Sequence, residues 1–540
     1  MPALRVALLG AMTTFATTMS GVVTLVHASC AAPANTATVV AITCVLGRLV
    51  RMDPAPGCLR DMQKPFLRRA GPSRPPAALG TSFARREREM AASWVGCLLV
   101  PLVLAGDHIA SGSGTGSKSS EPGEALFRQA YYAFLGACVT AAVVYAARIA
   151  WNTAASPPWW DMRALWMYGR VADAGLDPYL PSAYHTLAGP GPFPQDFGPE
   201  LLDVGCVYPP PSLLLFGIIG WLPLRPAAAV WMTIQTAASV GAIVLLWRTF
   251  LADFGRRGLA LAATLTLTFP PSQWTLHLGQ INFLALLFIA AAWRSRERAA
   301  SGAYVVGATL IKPVYFVLLA YAILRRDRRT LVVALLSGAA ICVLTLAVFG
   351  PGVFRSYIEN NPVTHALPRL GPAYFTEITN RNQSLLAWVL RLVPYHPARG
   401  LVTQDPLYLA LAGAVAVLAA WAITRAHRAA DGGELSFAIL LTTGLIIYPW
   451  TLTHYFTTLI APLLYLWTRR RTRLATAVVV GALITGVFVV LQYHEGNIGI
   501  LACAAVWIAL IARSMRSDRR PLPAAPQHAH IRLHLSTGAQ

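Results

Sequence analysis

Apolar residues run in long unbroken stretches along much of the chain. The stretches 331–349, 407–422 and 475–491 each approach the roughly 20 residues that cross a bilayer core. Lipid gives the backbone no hydrogen-bond partner, so only helices and closed barrels span it. Barrel strands alternate polar and apolar positions, and these stretches do not. The pattern therefore predicts an all-α integral membrane protein, a polytopic bundle of about 10–12 transmembrane helices. Further apolar segments lie near 131–150, 210–224, 227–247, 259–270, 279–293, 302–324, 435–450, 454–467 and 497–512.

The polar stretches between them are uneven. Residues 151–207 form a long Pro- and Gly-rich loop holding Asp161, Asp173, Asp177, Asp196, Glu200 and Asp203 against Arg163 and Arg170. Within it, 162–174 reads as a short interfacial helix. Residues 350–405 make a second long loop with Tyr357, His365, Tyr374, Glu377, Asn382 and Gln383. The short loops are basic instead: Arg256 and Arg257; Arg294, Arg296 and Arg298; Arg325 to Arg329; Arg425 and Arg428; Arg469 to Arg473. Basic short loops face the cytoplasm, which puts the two long loops outside.

Composition agrees with this picture. The chain has 540 residues, 56% hydrophobic and 12% charged, with a net charge of +21. In a soluble protein that charge would suggest nucleic acid. Here the arginines flank apolar segments and serve as membrane anchors, so no nucleic-acid partner is expected. The eight cysteines contain no C-x-x-C pair, which excludes a zinc ribbon or a disulfide framework. Residues 1–128 differ from the rest. A Pro/Arg-rich stretch and a Gly/Ser linker mark them as an atypical N-terminal extension, poorly ordered or over-called. The membrane domain is expected over 129–515, followed by a disordered cytoplasmic tail at 516–540.

Topology does not count out simply. Arg257, Arg298 and Arg326 should all be cytoplasmic, yet one helix over 302–324 would separate the last two. Pro313 removes a backbone donor and breaks that helix. We expect two half-helices meeting at Lys312, buried in protein. The parity of 210–247 stays open.

Lys312 is the sharpest single residue. The chain has three lysines, and this one alone follows Lys118. A mid-membrane ammonium needs a partner. That partner is either a ligand phosphate or a loop carboxylate, and the second would make it structural. Asp161 is an acid at the membrane–water boundary. It either caps the helix that follows or takes a proton from an acceptor hydroxyl. Gln280 and Asn282, in Gly279-Gln280-Ile281-Asn282, are polar at a membrane end, where they cap a helix or bind sugar hydroxyls. Asn382-Gln383-Ser384 is a similar cluster. His454 lies between two apolar segments on the outer side. P-loop, H-E-x-x-H and G-x-S-x-G signatures are absent, and the inner loops are too short for a nucleotide-sugar domain.

In order, the chain presents Asp161, Tyr168, Gly175-Leu176-Asp177-Pro178-Tyr179, Tyr208-Pro209-Pro210, Gly279-Gln280-Ile281-Asn282, Gly307 with Lys312-Pro313, Asn382-Gln383-Ser384, and Pro449 with His454. This series resembles glycosyltransferase family 87, the polyprenyl-phosphate-mannose-dependent alpha-mannosyltransferase-like proteins. The similarity covers roughly 130–512. It implies a GT-C fold with a long first extracytoplasmic loop. It also implies a polyprenyl-phosphate sugar donor, usually mannose, a lipid or glycan acceptor, and neither cofactor nor metal. The implied location is a bacterial inner membrane, with the active site on the periplasmic face among membrane lipids. The family's catalytic acid falls on Asp161. Lys312 and His454 fall near the donor phosphate, with Gln280, Asn282, Asn382, Gln383, Tyr179 and Tyr208 as further substrate contacts. The expected reaction is an inverting hexosyl transfer. The alternatives are a transporter or flippase for lipid-linked sugars and a non-catalytic partner in envelope-glycan assembly. A Pro-rich insertion at 189–198 departs from the family pattern.

Overall fold

The computed structural model describes residues 160–188, 205–360, 382–393, 405–427, 431–468 and 498–516. The segments 1–128, 131–150, 189–198 and 474–491 lie outside the described residues, as do Asp196, Glu200, Asp203, His365, Tyr374 and Glu377. Every named element is helical, and the only β-pairing among the described residues is an isolated bridge between Asn382 and Leu452. In chain order the α-helices are α1 (Trp160–Asp173), α2 (Pro181–Ala188), α3 (Leu213–Gly220), α4 (Leu224–Leu246), α5 (Gly255–Thr268), α6 (Pro270–Leu278), α7 (Asn282–Arg294) and α8 (Ala300–Ile311). They continue with α9 (Leu319–Leu324), α10 (Arg328–Phe349), α11 (Gly352–Asn360), α12 (Leu385–Leu392), α13 (Pro406–Ala426), α14 (Gly432–Ile447), α15 (Ile460–Thr468) and α16 (Ile498–Arg516).

Three stretches among the described residues are long and apolar enough to cross a membrane: Leu224–Leu267, Arg328–Phe349 and Pro406–Ala426. Six shorter apolar helices accompany them. The first stretch has 44 residues, which as one straight helix would measure about 66 Å, twice the bilayer core. It is broken at a 3-10 turn, Ala252–Phe254, and at Gly255 with φ 54. There α4 turns back to pack on α5, placing Arg256 and Arg257 at the reversal. α10 and α13 leave Val332, Leu335, Leu336, Val343, Val417 and Leu418 exposed, the pattern of lipid-facing helices.

The basic loops gather at one end. The Arg294 guanidinium donates to the Arg248 carbonyl at 2.9 Å. Arg325 pairs with Glu297, Arg296 with Glu434 at 3.3 Å, and Arg513 with Asp431. These contacts join the ends of α4, α7, α9 and α16 to the starts of α8 and α14. They also resolve the topology. α8 climbs from the basic end to Ile311; a 3-10 segment, Pro313–Leu318, and α9 return to it. Tyr321, on α9, donates to Glu297 just before α8 at 3.1 Å. The hairpin returns to the end it left, with Lys312 at its tip. Twelve residues of α8 rise about 18 Å, less than the roughly 30 Å of a bilayer core.

The expected helix over 162–174 is α1, and Met162, Leu165, Trp166, Met167 and Val171 are buried where it lies against α3. Gly279-Gln280-Ile281-Asn282 leads into α7, which starts at Asn282, while Pro270 and Pro271 open a further short helix, α6, that Gly279 ends in the left-handed region (φ 66). His454, between two apolar segments, is buried at 3% exposure.

Candidate functional site

The site lies where the start of α1, the α6–α7 turn, the hairpin tip and a 3-10 segment, Thr453–Leu459, approach one another. Asp161 stands inside the first turn of α1, not at the position before it. The partial positive charge of a helix N-terminus favours a carboxylate there. α1 is held by close approach to α3. A Cβ at Gly169 would fall 2.0 Å from the Phe216 carbonyl oxygen, and one at Gly220 would fall 2.4 Å from the Gly169 carbonyl carbon. Small residues at such crossings let membrane helices meet backbone to backbone.

The α6–α7 turn brings Gln280 to Asp161. Gly279 supplies the positive φ that a side chain would resist. Its carbonyl accepts from the Trp231 indole at 2.6 Å, and the Gln280 amide N–H donates to the Thr275 carbonyl at 2.9 Å. The Gln280 side chain then donates from Nε2 to Asp161 Oδ2 at 2.7 Å. Its Oε1 accepts from the Tyr208 hydroxyl at 3.0 Å. Burial first, and the Asp161 carboxylate second, push the Tyr208 phenol above its ordinary pKa and keep it a donor. Tyr179 stands one step behind. Its hydroxyl donates to the Tyr208 carbonyl at 2.9 Å, and burial raises its pKa strongly.

Lys312 reaches the site from the hairpin tip. A residue before proline is pushed out of the helical region, and Lys312 takes φ −142 and ψ 116. Ser212 braces the tip by donating to the Leu310 carbonyl at 2.6 Å. The side chain is 1% exposed. Its ammonium has no hydrogen-bond partner among the described residues and lies 3.4 Å from the Tyr455 ring centroid. Asp161 acts on it electrostatically from within range, and on Tyr208 and Tyr455 as well. His454 neighbours Tyr455, with ring centroids 5.1 Å apart, and feels the Lys312 charge. Its Nε2 likewise has no hydrogen-bond partner among the described residues.

The remaining residues expected at the site stand around this centre. Asn282 donates to Thr275 Oγ1 at 3.1 Å, and Thr275 meets Thr457 at 3.0 Å, so three elements share one polar knot. Thr457 in turn donates to the His454 carbonyl at 2.9 Å. Asn382 donates to the Pro449 carbonyl at 2.5 Å and accepts from the Ser384 amide at 3.0 Å. Gln383 accepts from the Gly499 amide at 3.1 Å, and its own backbone N–H donates to the Thr451 carbonyl at 2.7 Å. These two residues fasten α12 and α16 to the turn that leads to His454.

Asp161, Gln280, Tyr208, Lys312 and His454 are thus assembled, while Asn282, Asn382, Gln383 and Tyr179 support them. Sequence reasoning missed Tyr455, Thr275 and Thr457. Tyr455 follows His454 directly, which was the available signal. The two threonines gave none.

Residues 207–449 match the sequence model of glycosyltransferase family 87. The resemblance read from the motifs therefore holds over that stretch. It includes Tyr208, Gln280, Asn282, Lys312, Asn382 and Gln383 and leaves out Asp161, Tyr179 and His454. A stretch of 157 residues is 31% identical to an alpha-(1->3)-arabinofuranosyltransferase of Mycobacterium tuberculosis (strain CDC 1551 / Oshkosh), covering 27% of this chain and 35% of that protein. The protein of the same description in strain H37Rv matches equally. The chain spans about a third of the length of these curated relatives. No solved structure matches it significantly.

Proposed function

We propose that this protein, which carries a glycosyltransferase family 87 segment, is a membrane glycosyltransferase that takes a sugar from a polyprenyl-phosphate donor. The observation that carries the proposal is the buried Lys312 ammonium, which has no hydrogen-bond partner among the described residues and lies within electrostatic range of Asp161. A buried ammonium costs several kcal/mol when unpaired, and one ring contact returns only about 2 kcal/mol. The balance favours an anion as its partner. A lipid phosphate entering from the bilayer has the right charge at the right depth.

In this reading the transfer is a single inverting displacement. Asp161 accepts the proton of the acceptor hydroxyl as its oxygen attacks the anomeric carbon. The bond from that carbon to the phosphate oxygen breaks, and polyprenyl phosphate leaves with the electron pair. Lys312, with His454 beside it, stabilises the charge on the departing phosphate. The site faces away from the basic loops, which supports an extracytoplasmic reaction at a bacterial plasma membrane. The acceptor is a lipid or glycan hydroxyl.

The family resemblance favours mannose as the sugar, while the mycobacterial relatives are arabinofuranosyltransferases. Purified protein in nanodiscs, given radiolabelled polyprenyl-phosphate mannose or polyprenyl-phosphate arabinofuranose with short glycan acceptors, tests the proposal. A new glycosidic product with one donor supports it. Movement of the lipid-linked sugar between leaflets without a new bond would establish a flippase instead.

A further inference from the structure

The geometry around Gln280 points to a different role from substrate binding: we infer that Gln280 is a positioning residue, holding the Asp161 carboxylate through an amide that the carboxylate orients and Tyr208 anchors. The inference rests on the reading of Asp161 as the base.

The direction of this chain follows from the donor inventory. An ionised carboxylate can only accept, so the Gln280 end that faces Asp161 must be its NH2 group. The amide oxygen then faces Tyr208, whose hydroxyl must donate. Reversing the amide would set oxygen against carboxylate, while the phenol, which can donate or accept, would tolerate either end. Starting from Asp161 Oδ2, each hydrogen bond therefore fixes the polarity of the next. Gln280 is 6% exposed, and its backbone is tied to α6 at Thr275. Tyr208 is buried as well, and Tyr179 holds its carbonyl. Neither side chain has room to swing toward a sugar without breaking this series. The arrangement repeats the general logic of an oriented base, with the third group supplying geometry and not protons.

The test uses full-length protein in nanodiscs with the two radiolabelled donors named above. Gln280→Leu should lower kcat roughly 10- to 100-fold, since a misplaced reacting group costs on that order, with the donor KM held within about twofold. Tyr208→Phe should act in the same direction by less, and it carries the test if Gln280→Leu fails to fold. A second readout needs no substrate. The infrared carboxylate band of Asp161, isolated by subtracting the Asp161→Asn spectrum, should shift in both variants. A raised donor KM with unchanged kcat, or a band that stays in place, would overturn the positioning role and return Gln280 to substrate binding. If Asp161→Asn transfers sugar at the unaltered rate, the base reading fails by itself, and the band still reports whether Gln280 grips Asp161.

Discussion

The ammonium of Lys312 rests 3.4 Å from the centroid of the Tyr455 ring, at the tip of the hairpin that α8 and α9 form. The ring face carries negative quadrupole charge, so it partly compensates a cation in a medium that solvates none. A donor phosphate would meet a lysine already aimed and held.

A double-mutant cycle should reveal that contact. Lys312→Met and Tyr455→Leu, alone and together, are expected to show a coupling of about 1–2 kcal/mol in thermal unfolding. Tyr455→Phe should keep it, because the ring remains. A coupling indistinguishable from zero would mean that the proximity carries no energy.

Asp161→Asn and Lys312→Met should separate chemistry from donor capture. The first should lower kcat by at least about 100-fold with donor affinity preserved, since proton transfer is lost while the phosphate contact is kept. The second should raise the donor KM by at least about tenfold, and Lys312→Arg should not restore it. A planar guanidinium does not fit a place made for a compact ammonium. Initial rates over a range of donor concentration decide both points.

Gly169→Ala should be costly at a position far from any reacting group. The added Cβ would meet the Phe216 carbonyl oxygen at 2.0 Å, so α1 must move away from α3. Overpacking of this kind costs about 1–3 kcal/mol. Because Asp161 rides on α1, transfer should fall along with the melting temperature. A variant as stable and active as the parent would show that the crossing tolerates a wider spacing.

The N-terminus of α10 offers a pH-dependent check outside the bilayer. Asp327 accepts from the Thr330 amide at 3.1 Å and from its hydroxyl at 2.7 Å. The hydroxyl first and the amide second hold its carboxyl below the usual range. The stabilisation is therefore present above the unfolded pKa of about 4 and is lost as pH falls through the lower folded value. Asp327→Ala should cost roughly 1 kcal/mol at neutral pH and progressively less in acid, read from thermal melts at each pH.

The break at Lys312-Pro313 was legible because a proline within an apolar run has few conformational options, and the residue before it has fewer. The basic loops announced which ends of the helices lie together, and Arg298 with Arg326 already required a reversal between them. The burial of α1 was not legible. Its two tryptophans and one tyrosine suit a headgroup region as well as a core, and only the tertiary structure shows α1 packed against α3. Tyr455 was hidden for a related reason. Its function depends on which ring face meets Lys312, across more than a hundred residues of chain.

The sequence by itself determined that this is a helical membrane protein, which residues cannot face lipid, and where Pro313 must interrupt a helix. These are local consequences of hydropathy, charge and backbone sterics. The tertiary structure alone decided that Gln280 donates to Asp161, that Tyr208 donates to Gln280, and that Lys312 lies over Tyr455. Hydrogen-bond direction and ring contact depend on side chains from distant segments meeting at angstrom distances, and no spacing along a chain encodes that meeting.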